Sequence, residues 1–205
     1  MKTFAALILT FILLGLSGCS TTPISAAKKA GIKTVQIEPR VDSQQAMRYG
    51  VDLSSGGLAN LLAGLLVDSL GQKGVSRMSA VMQTNEIIVT DLIQAHAVTR
   101  IQQYEEVKVA EENTDGVFVV KIVQYGFDSP GLKLSHKVPF VVLYAELLNR
   151  EGKRLWSRRT TVGQLISKGM GATWEEYEAD PQRLRADWNT QVENVVKHLF
   201  PDKKK

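Results

Sequence analysis

The residues able to do chemistry are few and scattered. Three histidines, His96, His136 and His198, stand 40 and 62 positions apart. Neither interval gives the HxxxH or HExxH spacing that sets two imidazoles on one helix face around a metal. His198 falls in the last turn of a helical pattern, where a cation suits the negative end of the dipole. No GxSxG stretch is present to raise a serine nucleophile at a strand-to-helix turn, and there is no Walker loop. Gly169-Met170-Gly171-Ala172-Thr173-Trp174 carries two glycines of a dinucleotide loop without the third. Acid pairs occur at Glu105-Glu106, Glu111-Glu112 and Glu175-Glu176. Neighbours in sequence point apart on a helix, so these pairs read as solvated faces rather than as acid–base couples. One cysteine, Cys19, excludes an internal disulfide and, alone, a cysteine-based zinc site. The expectation is a protein that is no enzyme, with no catalytic residue, no metal and no cofactor.

Cys19 does have chemistry of its own, set by what precedes it. Lys2 supplies a positive start, Thr3 to Leu16 form an apolar run, and Ser17 and Gly18 are small. Those are the three parts of a secretory leader, and the run is shorter than the ~20 residues needed to span a bilayer. Leu16-Ser17-Gly18-Cys19 resembles the lipobox of bacterial lipoproteins. The resemblance implies that the Cys19 thiol is alkylated with diacylglycerol, that the leader is cut before Cys19, and that the new amine is acylated. Each buried methylene contributes about 0.8 kcal/mol, so several acyl chains together anchor a protein effectively for good. The resemblance also assigns a sorting meaning to the next residue: an Asp favours inner-membrane retention, and Ser20 therefore points to the outer membrane.

Composition bounds the remainder. The chain has 205 residues, 44% hydrophobic and 22% charged, with a net charge of +4. Without Lys2 the count is 24 basic against 21 acidic side chains, and no block gathers the cations. That distribution argues against a nucleic-acid partner. The expected organisation is a signal peptide over 1–18, a lipidated Cys19 with a flexible tether to residue 31, one domain over 32–200, and a basic tail over 201–205. The tether would reach at most ~40 Å; its Lys28 and Lys29 are either solvated or touch anionic head groups.

The elements follow from periodicity. Ile32 to Glu38 alternates and ends at Pro39, as a first strand does. Residues 40–57 read as loop, and Leu58 to Leu70 as a leucine-rich helix. Residues 85–104 read as a second helix, with Val89, Ile93, Ala97, Ile101 and Tyr104 at helical spacing. Asn113 to Gly116 is turn chemistry. Val117 to Val123 is apolar on both faces, as in a central strand. Val138–Leu148 and Arg154–Val162 flank Asn149-Arg150-Glu151-Gly152-Lys153 as a hairpin. Residues 163–180 read as a long loop. Asp180 and Pro181 open a last helix whose stripe is Leu184, Trp188, Val192, Val195 and Leu199. This order predicts an α/β (α+β) fold, a small mixed sheet with an antiparallel hairpin, packed by helices. Val119, Ile122, Trp188, Val192 and Val195 are expected to be buried together.

Three surfaces are candidates for contact. Gly57, Gly64 and Gly71 recur at heptad spacing, a strip for close backbone approach either inside the fold or in self-association with a second copy or partner. Glycine costs about 1 kcal/mol in a helix interior relative to alanine, so something should compensate it. Arg154, Trp156 and Arg158 share one face of a strand; the patch either deters edge-to-edge aggregation or binds through cation–π contacts. Met170, Trp174 and Tyr177 beside four carboxylates make the 164–180 loop the favoured partner-binding segment. There the alternatives are a packed Trp174 or a disordered loop.

With those strands in place, a resemblance emerges. The strand ending Tyr125-Gly126-Phe127-Asp128, followed by Asn149-x-x-Gly152-Lys153-x-Leu155-Trp156, resembles Gram-negative periplasmic lipoproteins of the small mixed α/β-domain group. The curli secretion lipoprotein and the N-terminal domain of the Tol-Pal translocation protein share that domain. The glycine-rich helix and Pro181–Leu184 look closest to uncharacterised members. The resemblance implies a non-enzymatic envelope component, an accessory or assembly factor with a protein partner. The alternative is a module that binds a small amphiphile such as a lipid.

Overall fold

A computed structural model describes residues 22–41, 48–51, 73–129, 135–160 and 170–201. Cys19, the helix expected over 58–70, the strip Gly57, Gly64 and Gly71, and the tail from residue 202 lie outside the described residues.

The expected fold class is the observed one. Helix α1 (Pro23–Lys29) leads into β1 (Thr34–Val41) and β2 (Arg48–Val51). Helix α2 covers residues 73–84, and α3 is Val89–Gln102. Then come β3 (Lys108–Val109), β4 (Gly116–Ser129), β5 (Val138–Asn149) and β6 (Arg154–Arg159), followed by α4 (Trp174–Ala179) and α5 (Pro181–Leu199). The sheet order is β3-β1-β4-β5-β6, with β2 alongside the far half of β4. The pairs β1–β3, β1–β4 and β2–β4 are parallel, whereas β4–β5 and β5–β6 are antiparallel.

Helices α3 and α5 cover one face of this sheet. Val89, Ile93, Ala97 and Ile101 of α3, and Leu184, Trp188, Val192, Val195 and Leu199 of α5, are buried against it. Asp180 accepts a hydrogen bond from the Arg183 amide at 3.1 Å, and Pro181 stands at the first helical position. The start of α5 therefore follows from its capping chemistry. Aromatic clusters close both ends of this face. Phe118, Trp156 and Phe200 meet at one end, and Phe127, Trp174, Tyr177 and Trp188 at the other.

Several expectations are corrected. Residues 23–29 are a helix rather than tether: Thr22 caps the Ser25 amide at 3.2 Å, and Pro23, Ile24, Ala26 and Ala27 are buried. Pro23, Ile24, Ala26 and Ala27 thus belong to the packed body rather than to a tether. Within the loop read over 40–57, residues 48–51 form β2. The helix read over 85–104 begins later than expected, and a separate helix, α2, ends just before that range. Glu86 takes a left-handed φ of 53°, Asn85 turns its side chain back to the Val81 carbonyl, and α3 starts only at Val89.

A bulge resolves the two-faced character of β4. Ile122 pairs with Leu143 and Gln124 with Val142, leaving Val123 unpaired. Phe118, Val120 and Ile122 face the helices before the bulge; Tyr125 and Phe127 face them after it. The extra residue reverses the alternation, so odd positions replace even ones on the core side. Ile122, Trp188, Val192 and Val195 share one core as expected. Val119 is fully buried but lies on the opposite face, opposite Glu146.

Candidate functional site

Residues 170–180, the described part of the segment read as an exposed recognition loop, are packed. Lys137 and Ala172 exchange backbone hydrogen bonds at 2.8 and 3.0 Å, which ties the segment to the start of β5. Thr173 and Glu176 form a capping box that opens α4. Met170 is 7% exposed and Tyr177 fully buried, against the expectation that both are exposed. Trp174 is half-buried, edge-on to Phe127 at 5.0 Å between ring centres. The buried Lys137 ammonium stands 5.6 Å from the Trp174 ring centre and donates to the Ser129 hydroxyl at 2.8 Å.

Polar side chains around this junction look reactive but are engaged with backbone and with one another. The Tyr177 hydroxyl reaches the Asp187 carboxylate at 2.7 Å and the Lys137 carbonyl at 3.1 Å. Burial and the Asp187 carboxylate both push the Tyr177 phenol well above its ordinary ionisation range. Asp187 also accepts the Gly171 amide at 3.0 Å, and Arg183 donates to the Gly171 carbonyl at 2.6 Å. His136 Nε2 lies 3.0 Å from the Met170 carbonyl, an acceptor only, which places the ring hydrogen on Nε2. Together these bonds latch 170–177 onto the sheet. Among the described residues no group of three His, Cys, Asp or Glu side chains could hold a metal ion.

The strand patch is also divided. Leu147 pairs with Trp156 and Leu148 with Arg154, so Leu155 is the extra residue of a second bulge. Trp156 turns into the core and stacks on Phe200 at 6.1 Å. Arg154 turns to the other face, where it reaches the Tyr144 hydroxyl at 3.4 Å. Arg158 stays half-exposed on the Trp156 side. The three therefore do not share a face, because the bulge shifts parity between them. At the hairpin tip, Arg150 is engaged with the Thr114 carbonyl at 2.9 Å and with Asp115 at 3.0 Å.

Among the described residues, two of the clefts bring accessible apolar and polar groups together. A groove of about 260 Å³ runs between α2, the start of α3 and β4, lined by Met82, Ile87, Ile88, Val89, Ile122 and Tyr125 among others. Ile88 is 51% exposed at its rim. A second cleft, of about 590 Å³, opens between the end of α1, the start of β1 and the turn from α3 into β3. Its wall combines Gly31, Ile32 and Thr34 with Lys28, Lys33, Lys108, Glu105 and Glu106. Asp115 fixes the β1 side of this wall by accepting the Lys33 amide at 3.1 Å, the Thr34 amide at 3.1 Å and the Thr34 hydroxyl at 2.9 Å. Those bonds, with the Arg150 charge nearby, hold its carboxyl below the ordinary carboxylate range. The second cleft joins positions 28–34 to 105–108. Its traces in the sequence are the lysines on either side of Gly31 and the pair Glu105-Glu106.

No protein-family model matches the chain, and no curated protein sequence matches it. Solved structures similar to it include a Xanthomonas campestris protein of the DUF330 family model, at 15% identity over 82% of this chain and 81% of that one, TM-score 0.44. A PelC dodecamer subunit from Paraburkholderia phytofirmans is 10% identical, covering 83% and 88% respectively, TM-score 0.35. A minor lipoprotein from Acinetobacter baumannii is 9% identical, covering 82% and 90%, TM-score 0.35. Bacterial lipoproteins are thus among the similar structures; these are likenesses of architecture, and no role is transferred from them. None of the described helices is long and apolar enough to cross a membrane.

Proposed function

We propose that the chain is a Gram-negative lipoprotein, held by acylated Cys19 on the periplasmic face of the outer membrane. It works by contact, as a non-enzymatic accessory or assembly factor of a cell-envelope complex. The observation that carries this reading is the distance from anchor to body. Three residues, 20–22, separate the lipobox cysteine from a capped and buried helix. A leash of that length spans at most ~11 Å. Lipidation at Cys19 therefore fixes the body at the bilayer surface, a geometry suited to a membrane-bound assembly. The groove around Ile88 supports a contact role, because an apolar side chain half-open to solvent at a groove rim suits a partner side chain. The larger cleft favours a second reading, binding of an amphiphile.

Photo-crosslinking in intact cells tests the contact role. A crosslinker replacing Ile88 is expected to trap a discrete envelope protein, and the adduct disappears in Cys19→Ser. No adduct at Ile88, or one that persists in the serine variant, contradicts the proposal.

A further inference from the structure

We infer that the cleft between α1, β1 and the α3–β3 turn seats the head group of a membrane phospholipid bearing phosphate and ammonium, a phosphoethanolamine. This rests on the anchoring of Cys19. Cys19 lies within ~11 Å of Thr22 when the leash is extended. Thr22 to Lys28 adds six helical residues, about 9 Å. Lys28 in the cleft lining is thus no further than ~20 Å from the acylated residue, within reach of head groups in the same leaflet.

The lining matches that ligand in shape and sign. A volume of about 590 Å³ suits a small amphiphilic molecule. Ile32, Gly31 and the aliphatic stems of the lysines offer apolar wall for the glycerol and upper acyl segments. Lys28, Lys33 and Lys108 are exposed, and among the described residues none of their ammonium groups forms an ion pair. They present donors to a phosphate. Glu105 is exposed in the same lining and presents acceptors to a primary ammonium. An anionic head group such as phosphoglycerol satisfies only the lysines. A choline head group lacks the N–H donors that a carboxylate binds. The Asp115 bonds to Lys33 and Thr34 hold the β1 side of the cleft in place before any ligand arrives.

Native mass spectrometry of the purified full-length protein, released from neutral detergent, tests this. Phosphatidylethanolamine, phosphatidylglycerol and phosphatidylcholine are supplied at equal concentration. The expected spectrum shows an acylated chain carrying phosphatidylethanolamine in several-fold preference to the other two lipids. Lys33→Ala with Lys108→Ala lowers that adduct about tenfold; Lys28→Gln lowers it too, and Lys197→Ala on α5 leaves it unchanged. Glu105→Gln removes the preference over phosphatidylglycerol. Equal adducts for all three lipids, adducts indifferent to the lysine substitutions, or displacement by millimolar inorganic phosphate would overturn the inference. The same spectrum separates the two claims. An acylated chain without a selective adduct sinks the cleft and leaves the anchor, whereas an unacylated chain with a selective adduct sinks the anchor.

Discussion

Gly74 of α2 lies flat against the indole of Trp174, so close that a β-carbon at Gly74 would overlap Nε1 and Cε2 of the ring. The contact joins the helix between β2 and α3 to the helix that follows β6, and it gives Trp174 a packing role. Gly74→Ala forces one of the two to move, which costs ~1–3 kcal/mol as overpacking does. Urea denaturation checks this: the midpoint falls in Gly74→Ala and recovers in part when Trp174→Leu is added, since the smaller side chain leaves room. A midpoint unchanged by Gly74→Ala would mean the helix does not dock on Trp174.

Tyr177 closes the junction through its hydroxyl. Tyr177→Phe keeps the ring but leaves the Lys137 carbonyl and Asp187 short of a donor. The expected loss is ~1–3 kcal/mol. The raised ionisation of the phenol also fixes a pH effect. The neutral form is favoured in the fold, so its contribution is present below the ordinary tyrosine value near 10 and is lost as pH rises above it. Stability of the wild type therefore declines through the alkaline range more steeply than that of Tyr177→Phe.

Asp115 gives the opposite dependence. Its carboxyl is held low by the Lys33 amide first, then by the Thr34 hydroxyl and amide. A depressed folded value contributes stability above the ordinary value of about 4 and loses it as pH falls through the folded value. Asp115→Asn is expected to be less stable than wild type at neutral pH, with the gap closing below about pH 4. A gap that stays constant on acidification would show that the carboxylate charge is not what holds β1 to the 113–115 turn.

Trp188 anchors α5 to the sheet against Tyr125 and Phe127, at 6.4 and 5.7 Å between ring centres. Trp188→Ala is expected to cost ~3–5 kcal/mol, as truncation of a buried aromatic does. A negligible shift in the denaturation midpoint would contradict the docking of α5.

Long periodic elements were legible in the sequence, and the elements that break period were not. The stripe Leu184, Trp188, Val192, Val195 and Leu199 lies on the core as spaced, and the Asn149–Lys153 turn joins two antiparallel strands. Helix α4 was hidden because six residues are too few to show a period, although Thr173 and Glu176 spell a capping box. Helix α1 was hidden by small residues, yet Thr22-Pro23 is a helix start in its own right. The bulges at Val123 and Leu155 reverse which side chains share a face, and no local pattern announces them. That is why Val119 left the main core and why Arg154 parted from Trp156. The candidate site fared differently. Met170, Trp174 and Tyr177 have interface-type side chains, but the same types build cores, and Trp174 and Tyr177 pack against Phe127. The cleft joins segments more than seventy positions apart, lined at Lys33 and Lys108 among others, so only the β1–β3 pairing brings its charges together.

The anchored body is the centre of the account, and metabolic labelling of cells with an alkyne fatty acid tests it most directly. The wild-type chain is expected to carry the label and to migrate as a form shortened by its leader. Cys19→Ser is expected to carry none and to accumulate at the precursor size. Label on the serine variant, or an unlabelled wild type, would contradict it.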